Sequence, residues 1–384
     1  MKIRTSFILL TLTMLAFSSI TFADEPGPEP TYTRRPASAP VQPAPPPPPV
    51  QPFTVYQSRG VTPPPPPPIR RIAQAPVPIQ DYDFFTVGAD FLLWTNTEDN
   101  LGWIVNCPAG GNAIANGCNT INLSPGWKGG FRIFGGYTWS PDMWDIKGRW
   151  TWFLNKEFDS QTSGTLFPLW THPDQDGTAI SGTAFWQLQF NSIDVEFGKT
   201  FKPGQFFTLR PFTGVKGAIV DQNMNANYVG TGVTDSPLGR GITMSNDFGG
   251  IGLRSGFDSA WDLGSGFSII GKASGSILWG RFKVHYLSLG ADPSPATTTI
   301  ANVRDQFNST KAVLEAALGL NYHTAELLGD DYPLDFYVMY EDQEWFGQNQ
   351  IMRFFGRSPD DGMFIHEKGD LAFHGVTFGA AISF

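Results

Sequence analysis

Thirteen charged residues share one property: each falls on the polar face of a segment that alternates with a period of two. The basic members are Lys128, Arg132, Lys147, Arg149, Lys216, Arg254 and Lys272, and the acidic members are Asp90, Asp145, Asp194, Glu196, Asp258 and Glu315. Asp145, Lys147, Arg149 and Thr151 oppose Trp144, Ile146, Trp150 and Trp152. Asp194, Glu196 and Gly198 oppose Ile193, Val195 and Phe197, and Arg254 and Asp258 oppose Ile251, Leu253 and Phe257. Glu315 stands opposite Leu314, Ala316, Leu318 and Leu320. None of these charged groups is poised as a nucleophile. In mixed order, such groups do one of two things. They satisfy one another as ion pairs in an enclosed space, or they line a water-filled passage and set what crosses it. The sequence leaves both open.

The elements that must position them are strands. The alternation predicts ten, over residues 84–95, 128–139, 143–154, 184–201, 206–220, 245–261, 267–282, 311–323, 334–346 and 371–384. Their connections alternate in length. Short turns occur at 140–142, 202–205, 262–266 and 325–333, and long loops at 96–127, 155–183, 221–244, 283–310 and 347–370. Short turns on one side and long loops on the other describe an outer-membrane barrel. No later window offers about 18 consecutive apolar residues, and a closed barrel is the other structure whose backbone groups are satisfied in lipid. The expected fold is therefore an all-β, transmembrane, antiparallel up-and-down β-barrel of about ten strands, with twelve if a long loop hides a hairpin. A charge on the lipid face costs about 2–4 kcal/mol at the midplane, so the thirteen charged residues are expected to point inward.

The last strand carries its own signal. Val376, Phe378, Ala380, Ile382 and Phe384 share one face, and Gly375, Thr377, Gly379, Ala381 and Ser383 the other. A final strand ending on an aromatic residue resembles the closing strand of such barrels, which makes Phe384 the expected recognition signal for the barrel assembly machinery. Trp94, Trp139, Trp144, Trp261, Trp279 and Trp345 fall near strand ends and are expected to form interfacial girdles.

Catalytic patterns are missing from the sequence. There is no nucleophile elbow, HExxH pair, P-loop or zinc spacing, and Gly250-Ile251-Gly252 with Gly256 misses the dinucleotide spacing. The five histidines (His172, His285, His323, His366, His374) are dispersed. His366, near Asp360 and Asp361, is the grouping that comes nearest to the Asp/His sites of proteolytic outer-membrane barrels. The criteria for an active site are unmet, so no enzymatic activity, cofactor or metal is expected. Cys107 and Cys118 are expected to pair as a disulfide in an oxidising compartment.

The N-terminal part of the chain is built differently. Lys2 and Arg4 precede an apolar stretch from Phe7 to Phe17, and Thr21-Phe22-Ala23 offers a cleavage site, so residues 1–23 read as a secretory signal peptide. Losing those two cations takes the formal charge from −9 to −11 (−9 − 2), which argues against a nucleic-acid partner. Of 32 prolines, 20 lie between Pro26 and Pro78. Residues 24–80 therefore read as a proline-rich, disordered periplasmic segment that cannot build a core. It is either a spacer or a tether, with Arg34, Arg35, Arg70 and Arg71 able to touch anionic cell-wall polymer. Residues 81–384 are the expected barrel.

Several segments of that barrel resemble the Legionella-type major outer-membrane protein family, which includes porin-like proteins of environmental chlamydia relatives. They are Gly88-Ala89-Asp90-Phe91-Leu92-Leu93-Trp94 with Glu98-Asp99, Gly129-Gly130-Phe131-Arg132, Leu209-Arg210-Pro211-Phe212 to Lys216-Gly217-Ala218, and Gly256-Phe257-Asp258 to Trp261. Glu341 to Trp345, Asn349-Gln350 and Gly369-Asp370-Leu371 also fit. The resemblance implies a pore-forming protein of the outer membrane of a Gram-negative bacterium, in contact with membrane lipid and leaving a homo-oligomer open. The expected function is passive diffusion of small hydrophilic solutes. The rival is a structural or adhesive barrel with a filled lumen and surface loops that meet a partner.

Overall fold

Period-two alternation resolves into long antiparallel strands. The computed structural model describes residues 83–108, 117–175, 177–231, 237–291, 297–325, 332–355 and 362–384. The expected signal peptide (1–23) and the expected disordered proline-rich segment (24–80) lie outside the described residues. In chain order the strands are β1 (Phe84–Glu98), β2 (Gly102–Cys107), β3 (Asn119–Asn122), β4 (Lys128–Trp139), β5 (Trp144–Gln161), β6 (Thr165–Pro168) and β7 (Ser181–Lys199). There follow β8 (Phe207–Thr231), β9 (Pro237–Gly264), β10 (Phe267–Ala291), β11 (Thr297–Thr324), β12 (Leu334–Phe354) and β13 (Phe364–Ser383).

Ten of these close into one barrel in the order β1-β13-β12-β11-β10-β9-β8-β7-β5-β4, with β4 returning to β1. The closing register runs from Thr86↔Ser383 to Glu98↔Leu371. Backbone bonds between Phe85 and Phe384 extend it, with N to O distances of 2.8 and 2.9 Å. The ring is thus ten strands, not twelve. What the long loops hide is a separate three-stranded sheet, β3-β2-β6. The tight β9–β10 turn is built from Gly264, Ser265 and Gly266, all at positive φ (94°, 55° and 82°), a region that glycine enters without steric cost.

The wall is taller than the alternation predicts. β8 to β11 run 25, 28, 25 and 28 residues, where a membrane crossing needs about 9–11. Most of residues 221–244 and 283–310, expected as loops, is strand. Alternation continues there with an apolar inner face (Met224, Ala226, Tyr228) and a polar outer one (Asn223, Asn225, Asn227). Lower down, the outer face is apolar: Val215, Ile251, Leu253, Ile269, Ile277, Leu314 and Leu318 are exposed.

β12 leaves the wall on the long-loop side. Its pairing with β11 stops at Val313↔Trp345, and a register shift follows between Trp345 and Asn349 in its pairing with β13. Beyond that point Gln348 to Met352 are all buried. Asn246 Nδ2, from the inner face of β9, donates to the Gln348 carbonyl at 3.2 Å, so this part of β12 turns into the lumen. The small sheet packs against the same inner wall. Tyr228 Oη donates to the Trp103 carbonyl at 2.7 Å, Tyr286 Oη donates to the Trp170 carbonyl at 2.9 Å, and Trp103 stacks on Tyr228. The upper lumen is therefore filled by the chain's own connections. Cys107 and Cys118 are bonded at the β2–β3 hairpin of this sheet.

Candidate functional site

The inner faces place most of the sequence-predicted charges in one belt across the lower lumen. Alternation forces this, because the opposite face of each strand is given over to exposed apolar side chains. Asp90, Arg132, Asp145, Asp194, Glu196, Lys216 and Arg254 are buried.

The belt holds two clusters. In the first, Arg132 from β4 donates to Asp90 at 3.0 Å and to both oxygens of Glu341 at 2.9 and 2.8 Å, and Tyr337 also donates to Asp90. The second runs round β5 to β11. Arg210 pairs with Asp145, with Glu196 at 3.2 Å and with Asp258 at 2.8 Å. Lys216 pairs with Asp194 at 3.0 Å and with Glu315 at 2.8 Å. Arg254 reaches Glu196 at 3.1 Å and Glu315 at 2.6 Å, and Arg149 reaches Glu196 and Asp194. Each carboxylate thus neutralises a cation that would be costly alone in an enclosed space.

Lys147 lies opposite Glu196 in the register, and Lys272 sits 5.5 Å from the Tyr337 ring centre. These two and the five paired cations make seven, against the seven carboxylates Asp90, Asp145, Asp194, Glu196, Asp258, Glu315 and Glu341. The belt is formally neutral. A half-open void of about 30 Å³ is bordered by Arg132, Arg149, Arg254, Lys272, Glu315 and Glu341. A space of that size holds a water molecule or two.

Two belt members lie beyond the sequence reading, Arg210 and Glu341. Arg210 was legible, since it shares parity with Lys216 on the same strand. Lys128 does not join the belt. It has the inward parity of Arg132 but is the first residue of β4, at the end of the wall, and it is exposed.

Above the belt the lumen is crossed by aromatic rings. Trp94, Phe153, Phe190, Trp345 and Phe373 are fully or almost fully buried. Their ring centres are 4.7–6.2 Å apart across β1, β5, β7, β12 and β13. Two expected girdle residues, Trp94 and Trp345, therefore belong to an internal septum. Parity decides this, because Trp94 follows Asp90 and Leu92, and Trp345 follows Glu341 and Gln343, on inward faces. The Trp94 indole donates to Thr377 at 3.2 Å. Trp139, Trp144, Trp261 and Trp279 are exposed on the outer face, as girdle residues are.

Of the histidines, His366 pairs with Asp305 at 3.0 Å and packs on Phe307. Its sequence neighbours Asp360 and Asp361 lie outside the described residues. Among the described residues no group of three or more His, Cys, Asp or Glu side chains is placed to hold a metal ion.

The chain matches, over residues 77–384, the family described as the Legionella pneumophila major outer membrane protein precursor. No curated protein sequence matches it. Among solved structures it is similar to the outer membrane protease OmpT from Escherichia coli, at 9% identity and a TM-score of 0.36, covering 78% of this chain and 96% of that one. It is also similar to the Pseudomonas putida toluene transporter TodX, at 9% identity and a TM-score of 0.26, covering 79% and 90%.

Proposed function

The chain belongs to this major outer-membrane protein family, and from that premise we propose that it is a pore for small hydrophilic solutes, shut in the present conformation. The outer membrane of a Gram-negative bacterium is its location. The observation that carries the proposal is the ion-pair belt. Apolar residues of similar volume fill a buried space as stably as ion pairs do, or more so. A barrel that served only as a plug would gain little from fourteen inward charges, whereas a passage for hydrated solutes needs a polar wall. Closure is supplied by the aromatic septum, a constriction that excludes water until its rings part, and by the sheet and the β12 segment above it. The role is non-catalytic in this reading. Residues 1–23 direct export, and residues 24–80 form a periplasmic spacer.

A second reading has its own observation. The septum and the upper sheet are packed like a core, which suits a structural barrel that presents the tall β8–β11 wall to a partner. Planar-bilayer recording of purified, heat-modifiable protein separates the two. Discrete steps of steady conductance are expected from the pore. Silence across many insertions of folded protein overturns it and leaves the structural barrel.

A further inference from the structure

Above the septum the inner wall is mainly carboxamide, flanked by two charged groups of opposite sign, Glu98 with its carboxylate oxygens shielded beside Gln222 and Lys311 bonded to the Gly347 carbonyl. Cross-strand register aligns Asn155 on β5, Leu188 on β7, Gln222 on β8 and Asn246 on β9 along one rung. Asn96 joins it from β1, accepting a hydrogen bond from Asn155 at 2.8 Å. Gln348 joins it from the inward part of β12, through the 3.2 Å bond from Asn246 to its carbonyl. All five amide residues are at most 1% exposed. The rung lies six residues up-strand from Arg149 on β5 and from Lys216 on β8, with Phe153 and Val220 between.

Their hydrogen-bonding capacity is not used up. Among the described residues, Asn96 Nδ2, Asn155 Oδ1, Asn246 Oδ1 and both side-chain polar atoms of Gln348 have no partner. Gln222 Oε1 accepts from the Trp186 indole at 3.2 Å. A buried amide with unmade bonds destabilises a fold, and an apolar side chain of the same shape avoids that cost. A row of such groups is therefore poorly explained by packing. Each carboxamide offers a donor and an acceptor with no net charge. That combination matches hydroxyl groups and gives no preference for either sign of ion. The belt below is also formally neutral, so it sets up no net field favouring one sign.

We propose that this amide rung is the selectivity layer of the pore, and that its solutes are uncharged molecules bearing several hydroxyl groups, such as small polyols and sugars. The inference rests on the pore reading and names its solute class. The solute reaches the rung when the sheet above it moves aside, and exchanges its bound water for the free amide groups.

Proteoliposomes test it with sorbitol as the neutral probe and KCl as the ionic one. The variants are Gln348→Leu and Asn246→Leu, which keep approximate shape and remove the amide. Both are expected to keep heat-modifiable migration on gels, because both polar atoms removed from Gln348 are without partners and Asn246→Leu gives up a single bond, Nδ2 to the Gln348 carbonyl. Sorbitol-driven swelling relative to KCl conductance should fall about fivefold in each, the factor that one lost hydrogen bond makes. An unchanged ratio in folded variants overturns the selectivity role and leaves the pore standing. An equal fall in both probes also overturns it, since it signals mere narrowing. Failure of both variants to fold assigns the amides to structure and overturns it too. Wild-type vesicles impermeable to both probes defeat the pore reading, and this inference with it.

Discussion

Arg132 on β4 and Glu341 on β12 meet as a parallel pair of hydrogen bonds, Nη1 to Oε1 at 2.9 Å and Nη2 to Oε2 at 2.8 Å, although β1 and β13 lie between their strands in the ring. The pair spans the seam where the first and last strands of the barrel close. It holds the two ends of the sheet together through side chains as well as through the β1–β13 ladder.

Removing one partner leaves a buried charge without its counterion. Arg132→Ala or Glu341→Ala is expected to cost about 3–5 kcal/mol, read as a lower urea midpoint in detergent micelles. The double variant Arg132→Ala/Glu341→Ala should lose less than the sum of the single losses, because Glu341 is then not left without its counterion. Strict additivity would show that the two residues do not act as a pair. Charge reversal of Arg132 to Glu should disrupt folding before it alters selectivity, since it sets three carboxylates together.

Much of this arrangement was legible in the sequence, and each exception has its own physical cause. Period two fixes which side chains share a face, so the ten wall strands and most of the belt charges are read from alternation, with Lys128, Arg210 and Glu341 the exceptions. Where position along the strand was weighed against parity, parity was the better guide. Trp94 and Trp345 lie near strand ends, as girdle residues do, yet share the parity of Asp90 and Glu341 and point inward. The tall β8–β9 and β10–β11 hairpins read as loops because their outer face turns polar above the lipid, and an alternation of Asn with Met, Ala and Tyr gives no lipid-facing signal. The inward turn of β12 and the β3-β2-β6 sheet were not legible. Both depend on contacts between residues far apart in the chain, such as Asn246 with Gln348 and Trp103 with Tyr228.

The disulfide should matter to the upper sheet and not to the ring. Cys107 and Cys118 are eleven positions apart, and closing so short a loop is worth about 2–4 kcal/mol at most. The Cys107→Ser/Cys118→Ser variant is expected to keep heat-modifiable migration while the β2–β3 hairpin becomes more open to protease. Mass mapping of unreduced wild-type peptides should find the two cysteines linked, and free thiols there would contradict the pairing.

The outer face should be intolerant of charge where it is most apolar. Leu253 on β9 is 72% exposed and opposes inward Arg254 and Gly252 on the same strand. Leu253→Arg is expected to cost about 2–4 kcal/mol if it lies near the midplane of the bilayer, whereas Asn225→Arg, on the polar outer face of the same wall higher up, should cost little. Both are read as urea midpoints in lipid vesicles. Equal tolerance at the two positions would mean that the lipid belt lies elsewhere on the wall.

The septum offers the sharpest separation of closure from stability. Phe190 touches both Trp345 and Phe373, with ring centres 5.5 and 4.7 Å away, so it joins the β7 side of the lumen to the β12–β13 side. Phe190→Ala removes that link and leaves the ion-pair belt intact. In folding terms it should cost about 3–5 kcal/mol, as large-to-small changes in a packed interior do. In conductance terms the effect should run the other way. If the rings are what keep water out, opening a gap between Trp345 and Phe373 lets the lumen wet, and the open probability in planar bilayers should rise although the protein is less stable. Phe190→Leu, which keeps most of the volume, should show a smaller stability loss and little gain in opening. A Phe190→Ala protein that is destabilised, folded and as silent as its parent would place the closure in the β3-β2-β6 sheet and the inward β12 segment, and not in the aromatic layer.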